Sequence, residues 1–114
     1  MNLASFQKFN NTCKYQKIYP NTSPIIYNLS QYSSQSKNYT IVYIHGLNFL
    51  FNSTTVTFGT ITNIPVTFYS SNDISFSIPI NSLPGSYSVQ VVTIPSTIPT
   101  VLLSSNIETY TITS

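Results

Sequence analysis

The chain has 114 residues and a formal net charge of +2, and its length is that of one domain. Only 5% of the residues are charged, against about 25% in an ordinary soluble domain, whereas 41% are apolar and 14% aromatic. The length excludes several domains of ordinary size within these residues. The apolar content is sufficient for a core and therefore excludes a wholly disordered chain.

Serine, threonine, asparagine and tyrosine replace the missing charges, so we expect a surface of hydroxyls and amides. Such a surface repels its neighbours weakly, because soluble monomers normally owe their colloidal stability to charge. The composition therefore favours a protein that works packed against other proteins. An AT-rich genome is the alternative explanation, although that bias would also enrich lysine, which is scarce here.

Residues 1–22 differ from the rest of the chain. They contain Lys8, Lys14 and Lys17, together with Cys13, and show no sustained apolar periodicity. We predict an extended N-terminal arm over 1–22 and a folded domain over 23–114. No segment has the apolar stretch of a secretory signal or the length of a membrane span, and a lone cysteine cannot form an intrachain disulfide.

From residue 24 onward, short apolar runs of period two alternate with polar turns, which is typical of an all-β sandwich. Seven strands are predicted: 24–30, 39–45, 54–58, 65–70, 74–80, 86–93 and 107–113. The run 39–45 is apolar on both faces, which predicts a central strand. Within 74–80 and 86–93, apolar residues alternate with serine, which predicts one buried face and one wetter face.

Turns and breaks are also predicted. The Leu-Pro-Gly-Ser run at 83–86 fits a type II turn, since proline suits its second position and glycine its third. Polar turns are expected at 52–53 and 71–73. Residues 94–105 contain Pro95 and Pro99, so we expect a long loop or an edge element there.

Five runs in order resemble the IPT/TIG family of immunoglobulin-like domains: YTIVYIHGLNF (39–49), TVTFG (55–59), ISFSIP (74–79), GSYSVQV (85–91) and YTIT (110–113). The resemblance covers about residues 24–113 and implies an Ig-like β-sandwich of about seven strands. The implied core residues are Val42, Ile44, Phe49, Val56, Phe58, Ile74, Phe76, Ile78, Tyr87, Val89 and Val91. The resemblance further places Gly46 in a turn that needs a small residue or a positive φ, and has the Asn48 side chain bond backbone in that turn.

Catalytic chemistry has few candidate residues. His45 is the only imidazole, Asp73 and Glu108 are the only carboxylates, and there is no arginine. A nucleophile needs a base, and the base needs an orienting group, so a triad would have to draw on these single residues. These residues and Cys13 also lack metal-ligand spacing. We expect no enzyme activity, no metal, no cofactor and no small-molecule substrate, and a structural role for His45.

Nucleic-acid binding is also not expected, because phosphate recognition depends on several Arg and Lys contacts and Lys37 is the only one within 23–114. Seven tyrosines cannot all lie in the core and are candidates for an interface: Tyr15, Tyr19, Tyr27, Tyr32, Tyr39, Tyr43 and Tyr69. Tyrosine is favoured at protein interfaces because its ring buries a large area while its hydroxyl keeps a hydrogen bond.

We therefore expect a non-enzymatic module that docks into a larger protein assembly, with other protein subunits as partners. By analogy, the small chain that starts at Met, the absence of an export signal, the scarcity of charge and the AT-rich composition favour a minor capsid or virion-surface protein located in the virion. The alternatives are a ligand- or receptor-binding module at the cell surface or outside the cell, and a carbohydrate-binding accessory domain. The predicted partner-binding residues of the arm are Phe6, Lys8, Phe9, Lys14, Tyr15, Lys17 and Tyr19, with Ile18 as a further apolar anchor.

Overall fold

The computed structural model describes residues 23–95 and 101–114. Within these ranges the chain is all-β and forms ten strands, which confirms the predicted fold class. They are β1 (Ile25–Leu29), β2 (Ser33–Gln35), β3 (Ile41–Leu47), β4 (Thr54–Phe58), β5 (Ile61–Pro65), β6 (Thr67–Ser70), β7 (Asp73–Ser77), β8 (Gly85–Thr93), β9 (Leu103–Ser104) and β10 (Glu108–Thr113). All seven predicted strands are present, and β4 has the predicted bounds. The sequence missed the strands β2 and β5, whereas β9 lies in the segment 94–105, for which a loop or an edge element was expected.

The strands form two sheets of a sandwich. One has four strands in the order β1-β3-β7-β6. The other has six, in the order β2-β10-β8-β4-β5 with β9 also paired to β8. Every pairing is antiparallel except that of β2 with β10. As predicted, β3 is an interior strand, since it lies between β1 and β7.

The core lies between the sheets, where alternate residues of the facing strands meet. Ten of the eleven expected core residues are buried, and the exception is Tyr87, which is half-buried. The Tyr87 ring stacks on Phe58 with a centroid distance of 4.7 Å, while its hydroxyl donates to the carbonyl of Leu83 at the solvent boundary. The sequence missed four buried apolar residues: Ile26, Leu29, Tyr110 and Ile112.

The prediction that Gly46 lies in a turn was wrong, because Gly46 lies within β3. The prediction that this position needs a small residue is confirmed. A Cβ at this position would overlap the carbonyl oxygen of Ile25 and lie 2.8 Å from Phe49 Cζ. The small residue is required because β1 passes close to β3. The Asn48 side chain bonds backbone as expected, but this bond goes to Ser23 before β1 and not to the predicted turn, since Asn48 Nδ2 donates to the Ser23 carbonyl at 3.0 Å.

The predicted type II turn at 83–86 was also wrong. Gly85 has a φ of 153°, far from the value near +80° that such a turn requires, and it begins β8. The hydrogen-bonded turn lies just before it, where Ser82 N donates to the Pro79 carbonyl at 3.1 Å. Gly85 supplies a backbone conformation that other residues rarely adopt, but at the entrance to a strand.

The segment 94–105 was expected to be a loop or an edge element, and its described part contains β9, which pairs with β8. Ser105 continues that pairing, because Val91 N donates to Ser105 Oγ and Ser105 N donates to the Val91 carbonyl, both at 2.8 Å. Asn106 then reaches the other sheet, where its Oδ1 accepts from Ile26 N at 2.7 Å and its Nδ2 donates to the Ile26 carbonyl at 3.0 Å. The Asn106 amide thereby occupies the edge of β1 that no strand of the sheet covers.

Candidate functional site

The outer face of the four-stranded sheet carries the largest group of exposed aromatic side chains among the described residues. We name it the tyrosine face and define it by Tyr27, Tyr39, Ile41, Tyr43, His45, Tyr69 and Asp73. It arises from strict alternation in β3, whose burial pattern shows three exposed residues separated by buried ones. The outward apolar and aromatic residues of β3 are therefore exposed. The strand is buried on its inner face only.

Bulges in both edge strands direct tyrosines onto this face. The register of β1 against β3 shifts between Ile26 and Asn28, which makes Tyr27 the additional residue. The register of β6 against β7 shifts between Phe68 and Ser70, which makes Tyr69 the additional residue. A bulge re-aims a side chain and increases local twist, so each edge of the sheet places one tyrosine beside the central strands.

Tyr43 and Tyr69 stack above a buried serine. Their ring centroids are 5.9 Å apart with an interplanar angle of 30°, and the Tyr69 hydroxyl lies 3.2 Å from Ser75 Oγ. Ser75 faces outward on β7 between the two tyrosine strands, yet it is only 3% exposed. The expectation of a wetter face on this strand therefore fails at Ser75, because the tyrosine rings cover it.

His45 and Asp73 form the polar part of the face. They are register partners on β3 and β7, and His45 Nδ1 lies 2.9 Å from Asp73 Oδ1. About half of each side chain is exposed, at 51% and 53%, and the Tyr27 ring lies 5.8 Å from the imidazole. The sequence treated these two residues as far apart, because only the strand register brings residues 45 and 73 together.

The His45–Asp73 contact is a hydrogen bond between two half-exposed side chains. Ser70 Oγ donates to Asp73 Oδ2 at 3.4 Å, so this hydroxyl contacts the carboxylate and not the imidazole. Glu108 lies on β10 in the other sheet. Within residues 23–95 and 101–114, no three metal-ligating side chains come together.

The predicted partner-binding residues of the arm, from Phe6 to Tyr19, lie outside the described residues, and so does Cys13. The tyrosines discussed as interface candidates are on the surface where the structure describes them: Tyr27, Tyr32, Tyr39, Tyr43 and Tyr69 are all more than 44% exposed. Sequence alone did not assign them to one face. The bulges at Tyr27 and Tyr69 break the alternation that would have indicated it.

In the part of the chain that the structure describes, no helix is long and apolar enough to span a bilayer.

No curated protein matches the chain. The family model of the IPT/TIG domain matches residues 24–112. This match covers most of the chain and coincides with the two-sheet sandwich and its core, so the chain belongs to the IPT/TIG family of immunoglobulin-like domains.

Proposed function

We propose that this chain is a non-enzymatic assembly module and that its tyrosine face is the surface by which it docks into a larger protein assembly. Domains of this family are Ig-like modules that are generally non-catalytic and often mediate protein–protein interactions. The observation that carries the proposal is the stacked pair of Tyr43 and Tyr69 on an exposed sheet face.

The tyrosine rings supply the area for docking. Tyr27, Tyr43 and Tyr69 are 52%, 51% and 54% exposed, so each keeps roughly 100 Å² that a partner can bury. At about 25 cal/mol per Å², each ring offers roughly 2.5 kcal/mol before the costs of association are subtracted. Burial of this size is that of a binding hot spot.

The geometry also lowers the cost of docking. Tyr43 is held at the backbone, because its N–H donates to Ser30 Oγ at 2.9 Å and its carbonyl accepts from Ser30 N at 2.8 Å. The two side chains also hold each other, because the Tyr43 ring stacks on that of Tyr69, whose hydroxyl is bonded to Ser75. Side chains that are already ordered lose less rotamer freedom on binding, so more of the burial energy is available for affinity.

The arm is the second docking element of this proposal. The aromatic residues Phe6, Phe9, Tyr15 and Tyr19 are suited to anchor on a neighbouring subunit, and Lys8, Lys14 and Lys17 are suited to reach acidic groups there.

The assembly that we propose is a viral particle, with this chain as a minor capsid or virion-surface subunit. The support is compositional. With 5% charged residues, neighbouring copies and subunits repel one another weakly, which suits a closely packed shell.

The test compares incorporation of matched variants into the purified particle. Tyr27→Thr combined with Tyr43→Thr removes two rings from the face and keeps β-branched residues that suit strands. Leu102→Ser is the control, since Leu102 is 64% exposed and lies outside the tyrosine face. We expect the tyrosine variant to fall to less than about a tenth of wild-type occupancy and the leucine variant to remain at the wild-type level.

Equal incorporation of both variants would contradict docking through the tyrosine face. Recovery of the wild-type chain at a cell surface and not in particles would contradict the virion and favour the receptor-binding alternative.

A further inference from the structure

The tyrosine face is small. Four strands about 4.8 Å apart and 4 to 7 residues long give an area of roughly 350 Å². A stable interface between two rigid protein surfaces buries about 800 Å² on each partner. The face is therefore better matched to an extended peptide, of which six or seven residues span about 20 Å.

The chain itself contains a peptide of suitable composition. Residues 1–22 hold three lysines and no carboxylate, together with four aromatic residues. Residues 23–114 hold one lysine against two carboxylates, and one of these, Asp73, lies on the tyrosine face with about half of its side chain exposed. The lysines of the segment are opposite in charge to the Asp73 carboxylate, which His45 contacts at 2.9 Å, and tyrosine rings also attract lysine ammonium groups.

The segment is long enough to join two copies. Residues 1–22 reach about 70 Å when extended, and they enter the sandwich at Ser23, whose carbonyl is held by Asn48 beside β1. Copies of a chain with so few charges approach one another with little repulsion. A second copy is therefore a suitable partner on the grounds of both reach and charge.

We propose that residues 1–22 of a second copy of this chain bind the tyrosine face. This inference rests on the proposed function and names the partner of the same surface. The aromatic residues of the segment pack against Tyr27, Tyr43 and Tyr69, while its lysines lie near Asp73. The contact is heterologous, because the segment of one copy meets the face of another, so repetition produces rings or open chains of copies.

The experiment uses two full-length variants that each lack one half of the contact. The face variant is Tyr27→Thr, Tyr43→Thr. The segment variant is Phe6→Ser, Phe9→Ser, Tyr15→Ser, Tyr19→Ser. Sedimentation velocity is measured from micromolar to millimolar concentration for the wild type, for each variant alone and for their equimolar mixture, with thermal midpoints as the folding control.

We expect the wild type to self-associate and each variant alone to associate at least about tenfold more weakly. We expect the mixture to form one-to-one pairs, because the face variant still offers an intact segment and the segment variant still offers an intact face. The Leu102→Ser chain should behave as the wild type. Added salt should weaken the association, as charge complementarity requires.

A wild-type chain that stays monomeric throughout, or variants that do not combine when mixed, would overturn the inference. A cross-link between residues 1–22 and the face of the same chain, independent of concentration, would overturn it as well. In each case, continued loss of the face variant from the assembly would show that the tyrosine face docks another protein. The proposed function would then stand without this partner.

Discussion

Tyr43 and Tyr69 stack on each other although their strands are not neighbours. Between β3 and β6 lies β7, and at this position it contributes Ser75, whose small side chain leaves the two rings free to meet above it. Ser75 is 3% exposed as a result. Ser75 on β7 thus determines the shape of the surface that we assign to docking.

Enlarging this residue should separate the rings without unfolding the sandwich. We expect Ser75→Val to abolish the stack and reduce docking at least about tenfold, while changing stability by no more than about 1–3 kcal/mol. Near-ultraviolet circular dichroism reports the tyrosine environment. Ser88→Val on β8 is the control, because Ser88 is exposed and lies in the other sheet. A Ser75→Val chain with wild-type docking would show that the stack is irrelevant to the surface.

Adjacent residues of β7 point to opposite faces of the sheet, so their substitution should change stability by different amounts. Phe76 is 3% exposed and packs against Phe58, with ring centroids 6.2 Å apart, whereas Ser77 is exposed. We expect Phe76→Ala to lower the free energy of unfolding by about 3–5 kcal/mol and Ser77→Ala to have little effect. Denaturant titration measures both, and equal losses would contradict the assignment of the faces.

Gly46 should be intolerant of a single methyl group. A Cβ there would overlap the Ile25 carbonyl oxygen, so Gly46→Ala must displace β1, and we expect a loss of at least about 1–3 kcal/mol. At Gly85, by contrast, nothing lies within 4 Å of an added Cβ, and only the φ of 153° opposes alanine. Thermal midpoints of the two variants should differ, with Gly46→Ala the lower. A lower midpoint for Gly85→Ala than for Gly46→Ala would show that β1 can move away from β3 at little cost.

Asn106 protects the edge of β1, and its removal should expose that edge. Asn106→Ala leaves both backbone groups of Ile26 without their side-chain partner. We expect a loss of about 1–3 kcal/mol and a new tendency to self-associate through the open strand. Light scattering after size-exclusion chromatography compares this variant with Asn81→Ala, which alters an exposed loop. Unchanged stability and mass for Asn106→Ala would mean that water replaces the amide at no cost.

The arm yields a prediction about two separate properties. Residues 1–22 lie outside the IPT/TIG match at 24–112, so deletion of residues 1–20 should leave the thermal midpoint nearly unchanged while incorporation into the assembly falls sharply. One truncated chain supplies both numbers. Full incorporation would show that the arm is dispensable, and failure to fold would show that it is part of the domain.

Alternation predicted the buried residues of β7 and β8, and the family resemblance implied the other expected core residues. Phe76 and Ile74 are separated by one residue on a strand of constant phase, and both are buried as expected. Ile26 and Leu29 were missed because the bulge at Tyr27 places two residues between two inward side chains, which breaks the period of two. The polar strand β2 has no apolar face by which it could have been recognised.

The candidate site was less predictable, because it depends on register rather than on local pattern. His45 and Asp73 become partners only when β3 pairs with β7, and Tyr43 meets Tyr69 only because a bulge and a serine allow it. The tendency of exposed tyrosines to form an interface could be argued from composition. Their collection on one sheet face could not.

Hydroxyl-radical footprinting of the chain, free and within its native assembly, tests the central claim most directly. The account predicts that Tyr27, Tyr43 and Tyr69 are oxidised readily in the free chain, where each is about half exposed, and are strongly protected in the assembly. Leu102 and Leu83, which lie outside the face, should react similarly in both states. Equal oxidation of the three tyrosines in both states, with protection elsewhere on the sandwich, would contradict docking through the tyrosine face.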